Sequence, residues 1–146
     1  MAWVTITEAM LIKYVSGAEI DALRSAALAA GQVDPVDPTI DEITELVRGY
    51  IAACAENSMG DAGTIPERLV SHACTLILCA IITRVPGYEL DDDRAQAKKD
   101  ALRLLEQVAD CDYAIEDPDT GEDTSGSIEL VNYETRRATR TSMEGL

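Results

Sequence analysis

The run ACTLILCAII, residues 73–82, is apolar on nearly every face that a helix can present. A segment of that kind has to be enclosed on all sides. It is about half the roughly 20 residues that a bilayer span requires, and Arg68, His72 and Arg84 flank it. The run therefore reads as the central helix of a bundle. Pro66 suits the first turn of this helix, which is expected to continue to about Arg84 and to end before PGYEL.

The rest of the chain supplies helices to surround it. Alanine, leucine, isoleucine and valine dominate a hydrophobic fraction of 47%, phenylalanine is absent and aromatics reach 4%. This favours close-packed helices over a strand-rich sandwich, and 146 residues suffice for one core. Thr7 is expected to cap a short helix to about Tyr14. Ser16 and Glu19 have capping-box spacing for a second, with Ile20, Leu23, Ala27 and Leu28 on one face and Gly31 as its stop. After the turn GQVDPVDPT, Thr39 and Glu42 repeat that spacing, and Ile40, Ile43, Val47, Ile51 and Cys54 form the apolar stripe of a third helix to about Glu56. NSMGDAGT is a loop. A last helix opens at Asp91, Asp92 and Asp93, where acids favour the positive end of the dipole, and turns Ala97, Ala101, Leu104, Leu105 and Val108 inward.

The expected fold class is all-α: a five-helix bundle over residues 1–116, followed by an extended C-terminal arm, residues 117–146. Beyond Asp110 the helical pattern stops. Two short apolar stretches, 114–115 and 128–131, are compatible with a small hairpin or with an extended arm.

Charge is distributed unevenly. Residues 1–115 hold 19 acids and 9 bases, 116–123 hold 5 acids and no base, and 124–146 hold 3 of each, within a net charge of −15. An acidic body lacks the basic footprint from which nucleic-acid affinity arises, which argues against a sequence-reading DNA binder. Cys54, Cys74, Cys79 and Cys111 lack the paired spacing of zinc ligands. No secretory leader is expected at MAWVTITEAM, so free, mostly buried thiols in a reducing compartment are the expected state.

Catalytic constellations are scarce. His72 is the single histidine, and the neighbouring Ser71 and Cys74 point elsewhere on a helix, so a structural role is expected. In DPDTGED, residues 117–123, Gly121 comes one residue early for a calcium loop and Ile128 stands where the closing glutamate belongs. The three aspartates at 91–93 are accounted for by the helix start. Neither a phosphate loop nor a distinct acid and base pair stands out. No enzyme activity, metal or cofactor is expected.

The last residues differ from the body. Arg136, Arg137 and Arg140 cluster among Tyr133, Met143 and Leu146, with Ile128, Leu130 and Val131 upstream. These apolar groups offer area enough to repay ordering on a partner, and arginine forks give directional bonds to carboxylates.

Taken in order, ITEAMLIKY, a second helix ending in glycine, TIDEITELVRGYI, IPERLVSHACTLILCAI after a loop, AQAKKDALRLLEQVA and the ending RRATRTSMEGL resemble the head-tail connector (adaptor) proteins of tailed bacteriophages, of the Mu-like type. The resemblance covers most of the chain. It implies a virion protein of the phage neck, made in the host bacterial cytoplasm. It implies a homo-oligomeric ring of twelve copies beneath the portal protein, with a neck or tail-completion protein on the other face. DNA would pass through without sequence-specific binding. The portal contacts implied are Tyr133, Arg136, Arg137, Arg140, Met143 and Leu146. The acidity then suits a lumen that repels phosphate, with Asp91, Asp92 and Asp93 as channel-lining candidates. Two other readings stand beside it: another neck or tail-completion protein of stopper type, and a small acidic helical enzyme or ligand binder with a pocket at His72 or the aspartates.

Overall fold

The computed structural model describes residues 3–118. Five α-helices follow one another: α1 (Glu8–Leu11), α2 (Gly17–Ala29), α3 (Val36–Ala53), α4 (Val70–Arg84) and α5 (Asp92–Ala109), with a 3-10 turn, Glu67–Leu69, leading into α4. Among the described residues the extended pairing is confined to one antiparallel bridge between Val4 and Ile65. The chain is all-α, as its composition implies.

α4 is the enclosed helix. Ala73, Cys74, Leu76, Ile77, Leu78, Cys79, Ile81 and Ile82 are all buried, because α3, α5 and α2 pack around it. Arg84 at the end of α4 pairs with Glu42 near the start of α3, and Cys79 Sγ lies 3.7 Å from the Arg94 carbonyl oxygen in the first turn of α5. α4 therefore runs antiparallel to both α3 and α5. Those two run parallel and finish at the same pole, where Cys54 and Cys111 are joined in a disulfide.

The local signals for α1, α2 and α5 act as expected. Thr7 accepts from the Met10 N–H, Ser16 from the Glu19 N–H at 3.3 Å, and Asp91 from the Arg94 N–H at 2.8 Å, each satisfying an orphan donor of a first turn. Gly31 ends α2 at φ 84°, the left-handed conformation a helix stop needs.

α3 departs from expectation. It begins at Val36, one turn before Thr39, and Thr39 is fully buried instead of capping. The N-cap position falls on Pro35, and just ahead of it the Asp34 Oδ1 accepts from the Val36 N–H at 3.0 Å. Pro38 falls within the first turn, where a missing N–H costs nothing, so it does not delay the helix.

Two expected core positions face outward. Leu28 is 53% exposed because the buried row of α2 is Ile20, Leu23 and Ala27, and the next residue lies about 100° further round. Ala97 is exposed and Leu104 half-buried. The inward row of α5, Ala101, Leu105 and Val108, continues backward through the half-buried Lys98 and Arg94.

Candidate functional site

The pole where α3 and α5 finish is built from residues far apart in sequence, and it holds the last described segment of the chain. The Trp3 indole N–H donates to the Glu116 carbonyl oxygen at 2.9 Å. One Arg68 N–H donates to the Ala114 carbonyl oxygen at 2.9 Å, and its guanidinium faces the Glu116 carboxylate at 3.9 Å. Tyr113 and Ile115 pack against the core. The disulfide anchors Cys111, immediately before this segment, to Cys54, immediately after α3.

Trp3 is itself held from the other side. A Cβ added to Gly60 would lie 2.9 Å from Trp3 Cε3, so only glycine lets the 57–65 loop approach the ring this closely. Arg48 orders that loop by donating to the carbonyl oxygens of Gly60, Asp61 and Thr64. The Val4 bridge to Ile65 completes the layer. Together these contacts clamp residues 111–116 on the bundle.

The arginines of the body are paired with acceptors of the chain itself. Arg24 meets three carboxylates: Glu8 at 2.7 Å, Asp21 at 3.1 Å and Asp34 at 2.9 Å, linking α1, α2 and the entry to α3. The hydrogen bond with Glu8 is the main reason its pKa is raised. Arg94 pairs with Glu19 at 2.6 Å, joining α5 to α2, and the Glu19 hydrogen bond likewise raises its pKa. Arg84 pairs with Glu42 and Arg103 with Asp100. Every arginine among the described residues thus has a protein acceptor.

The outer surface that is left is negative. Asp37, Asp41 and Glu45 follow one another at four-residue intervals on the exposed face of α3, and Asp92, Asp93 and Glu106 are exposed on α5. None of these six has a basic partner among the described residues. Asp91, Asp92 and Asp93 are all exposed at the start of α5, about 27 Å from the pole of the Trp3 clamp by the rise of an 18-residue helix. The predicted channel acids and the root of the predicted arm therefore occupy opposite ends of the molecule. Tyr133, Arg136, Arg137, Arg140, Met143 and Leu146, and the hairpin candidate that includes 128–131, lie outside the described residues.

The expectation of four free thiols is corrected: Cys54 and Cys111 are bonded, with Cα atoms 5.4 Å apart, while Cys74 and Cys79 are free and buried. Their separation of 57 residues hides the pairing, which arises because parallel α3 and α5 end side by side. Glu56 brings a third donor within 4.8 Å of the two sulfurs, but the sulfurs are bonded to one another, so the arrangement is a cross-link. Burial pushes the Cys74 thiol up to about 11 and raises Cys79 as well, which leaves both unreactive. His72 is half-buried on α4, and desolvation lowers its pKa.

Apolar surface is also present. Leu46, Gly49, Tyr50 and Ala53 of α3, with Ala109 of α5, line a shallow groove of about 470 Å³ edged by Glu45. Val33, 77% exposed, and Tyr88 lie in the two connections that the hydrogen bond from Gln32 to the Arg84 carbonyl oxygen draws together. Among the described residues no helix is long and apolar enough to cross a membrane.

The family model described as Bacteriophage Mu, Gp36 matches residues 6–131, most of the chain. No curated protein and no solved structure matches the chain. The family match takes in all five helices and the clamped segment. Trp3, Arg68 and the Cys54–Cys111 pair were not singled out from the sequence. Each owes its role to partners more than 40 residues away, and no local pattern announces that.

Proposed function

The chain belongs to the bacteriophage Mu, Gp36 family and is a phage structural or morphogenesis protein; on that premise we propose that it is the head-tail connector, a ring protein seated beneath the portal. One observation carries this reading. Trp3, Arg68 and Cys111 clamp residues 111–116 on the bundle, which would give a binding arm over residues 117–146 a fixed root. A binding arm needs such a root, because an arm starting from a fixed point and direction loses less entropy on docking.

In this reading Tyr133, Met143 and Leu146 bury apolar area on the portal while Arg136, Arg137 and Arg140 pair with its carboxylates. Twelve copies around a ring make each arm part of a multivalent set, so a modest contact per copy suffices. The ring has the phage DNA as its passenger and a neck or tail-completion protein on the face away from the portal. With the arm on the portal side, Asp91, Asp92 and Asp93 lie toward the tail end of the lumen. With the arginines neutralised by their own carboxylate and carbonyl partners, the remaining acids would give a wall rich in carboxylate, which repels passing phosphate. No catalysis is assigned, since burial of His72, Cys74 and Cys79 leaves no activated nucleophile among them.

The test compares the full chain with a truncation ending at Gly121, each mixed with the portal protein of the same phage and weighed by native mass spectrometry. The full chain is expected to bind the portal as a ring. The truncation is expected to keep its helical circular dichroism and melting behaviour and to lose the portal. Retention of portal binding by the truncation would overturn the reading.

A further inference from the structure

We propose that Cys54 and Cys111 are a redox-controlled latch: two thiols while the protein is made in the host cytoplasm, and a disulfide that locks the 111–116 segment to α3 once the particle meets an oxidising medium. This inference does not depend on the portal reading. It rests on the family assignment, which places synthesis in a host cell, and on the geometry of the pair.

Cys111 occupies an unusual backbone position. It follows the cap residue of α5 with φ 67°, and it is the one residue other than glycine with positive φ among the described residues. That is the place where a helix normally ends on glycine or asparagine, because a Cβ is penalised there. Cysteine at this position gains what glycine could not offer, a sulfur facing Cys54 across a Cα separation of 5.4 Å, within the usual range for a disulfide. The penalty is accepted beside the clamped segment, where the bond ties residues 111–116 to the end of α3.

Exposure of the pair is asymmetric. Cys54 is 2% exposed, whereas Cys111 is exposed. Cytoplasmic thiols keep exposed cysteines reduced during synthesis, and a soluble oxidant reaches the pair through Cys111. In closure two Sγ–H bonds break and one Sγ–Sγ bond forms. Two protons and two electrons pass to the oxidant, with dioxygen yielding hydrogen peroxide or a small-molecule disulfide yielding two thiols.

The bundle does not need the bond in order to exist, since the Trp3 and Arg68 contacts hold the same segment. Oxidation then alters how long the segment stays docked, not where it docks.

The experiment uses the full chain expressed in bacteria. Cells are quenched with trichloroacetic acid, the precipitate is dissolved in neutral denaturant containing N-ethylmaleimide so that buried Cys54 is labelled too, and the result is compared with protein exposed to oxidised glutathione after lysis, each analysed by peptide mass spectrometry. Amide hydrogen exchange at residues 112–116 is then measured for the oxidised protein, the reduced protein and Cys111→Ser. Quenched cells should give maleimide adducts at both Cys54 and Cys111, and the glutathione sample the linked peptide. Exchange at 112–116 should be about tenfold faster in both the reduced protein and Cys111→Ser than in the oxidised protein. A bond already formed in quenched cells, thiols that stay free in oxidised glutathione, or equal exchange in the three samples would each overturn the proposal. Cys111→Ser removes the exposed partner, so a folding failure at buried Cys54 does not enter the comparison.

Discussion

Trp3 and Glu116 are joined by an indole N–H to carbonyl hydrogen bond of 2.9 Å across 113 residues of sequence. This bond and the close approach of Gly60 to the same ring hold the exit of the chain. Trp3→Phe keeps most of the ring and removes the donor. It should cost about 1 kcal/mol in urea unfolding, the usual net worth of one hydrogen bond. Gly60→Ala should cost about 1–3 kcal/mol through overpacking against the ring.

Thr39 is fully buried in α3 and its hydroxyl oxygen has no hydrogen-bond partner among the described residues. Valine fills nearly the same volume without the polar atom. Thr39→Val is expected to stabilise the protein by about 1 kcal/mol, since it removes an unpaired polar group. Thermal melting checks this, and a lower melting temperature would contradict it.

Reduction of the disulfide should lower the melting temperature measured by calorimetry. Fifty-seven residues separate the two cysteines, and the chain-entropy relation gives about 4 kcal/mol for a loop of that length. For a domain of this size that is a downward shift on the order of 10 °C.

Arg24 serves Glu8, Asp21 and Asp34 together. Arg24→Met keeps the aliphatic stem and leaves three carboxylates facing one another. The expected loss is about 1–2 kcal/mol at low salt. It should shrink in about 1 M sodium chloride, where the Debye length falls to about 3 Å. A loss independent of salt would point to packing instead of charge.

His72 is expected to weaken the fold on acidification. Its folded pKa lies below the ordinary value because burial disfavours the charged ring. Above pH 6.5 both folded and unfolded rings are neutral and the group contributes nothing. As pH falls through that value the unfolded ring takes up a proton before the folded one does, so stability declines until the folded pKa is reached. Part-exposure keeps the effect below about 1 kcal/mol. The difference in melting temperature between wild type and His72→Gln should change between pH 7.5 and 5.5, with the wild type losing more.

Helix starts were the legible part of this chain, because a cap is a local bargain between a side chain and a donor three residues on. Thr7, Ser16 and Asp91 declare themselves in sequence and act in place. Thr39 deceived because its spacing to Glu42 imitates a cap, while Asp34 and a proline tolerated in the first turn start the helix earlier. The all-apolar face of α4 announced its own burial. Leu28 and Ala97 did not, since whether an apolar residue at the margin of a stripe is covered depends on the angle at which a neighbour crosses. The clamp at residues 111–116 was illegible for a related reason: Trp3, Arg68 and Cys54 act on partners that only the folded bundle brings near. The arm contacts named from sequence fall outside the described residues, and their test is the truncation.

The meeting of Trp3 with Glu116 also governs where the protein can be labelled. A label attached at Trp3 would press on the pole where residues 111–116 are clamped. The opposite pole offers the exposed turn at Pro86, Gly87 and Tyr88, with Gly87 at φ 86°. A short peptide handle or fluorophore inserted there would leave the clamped segment undisturbed.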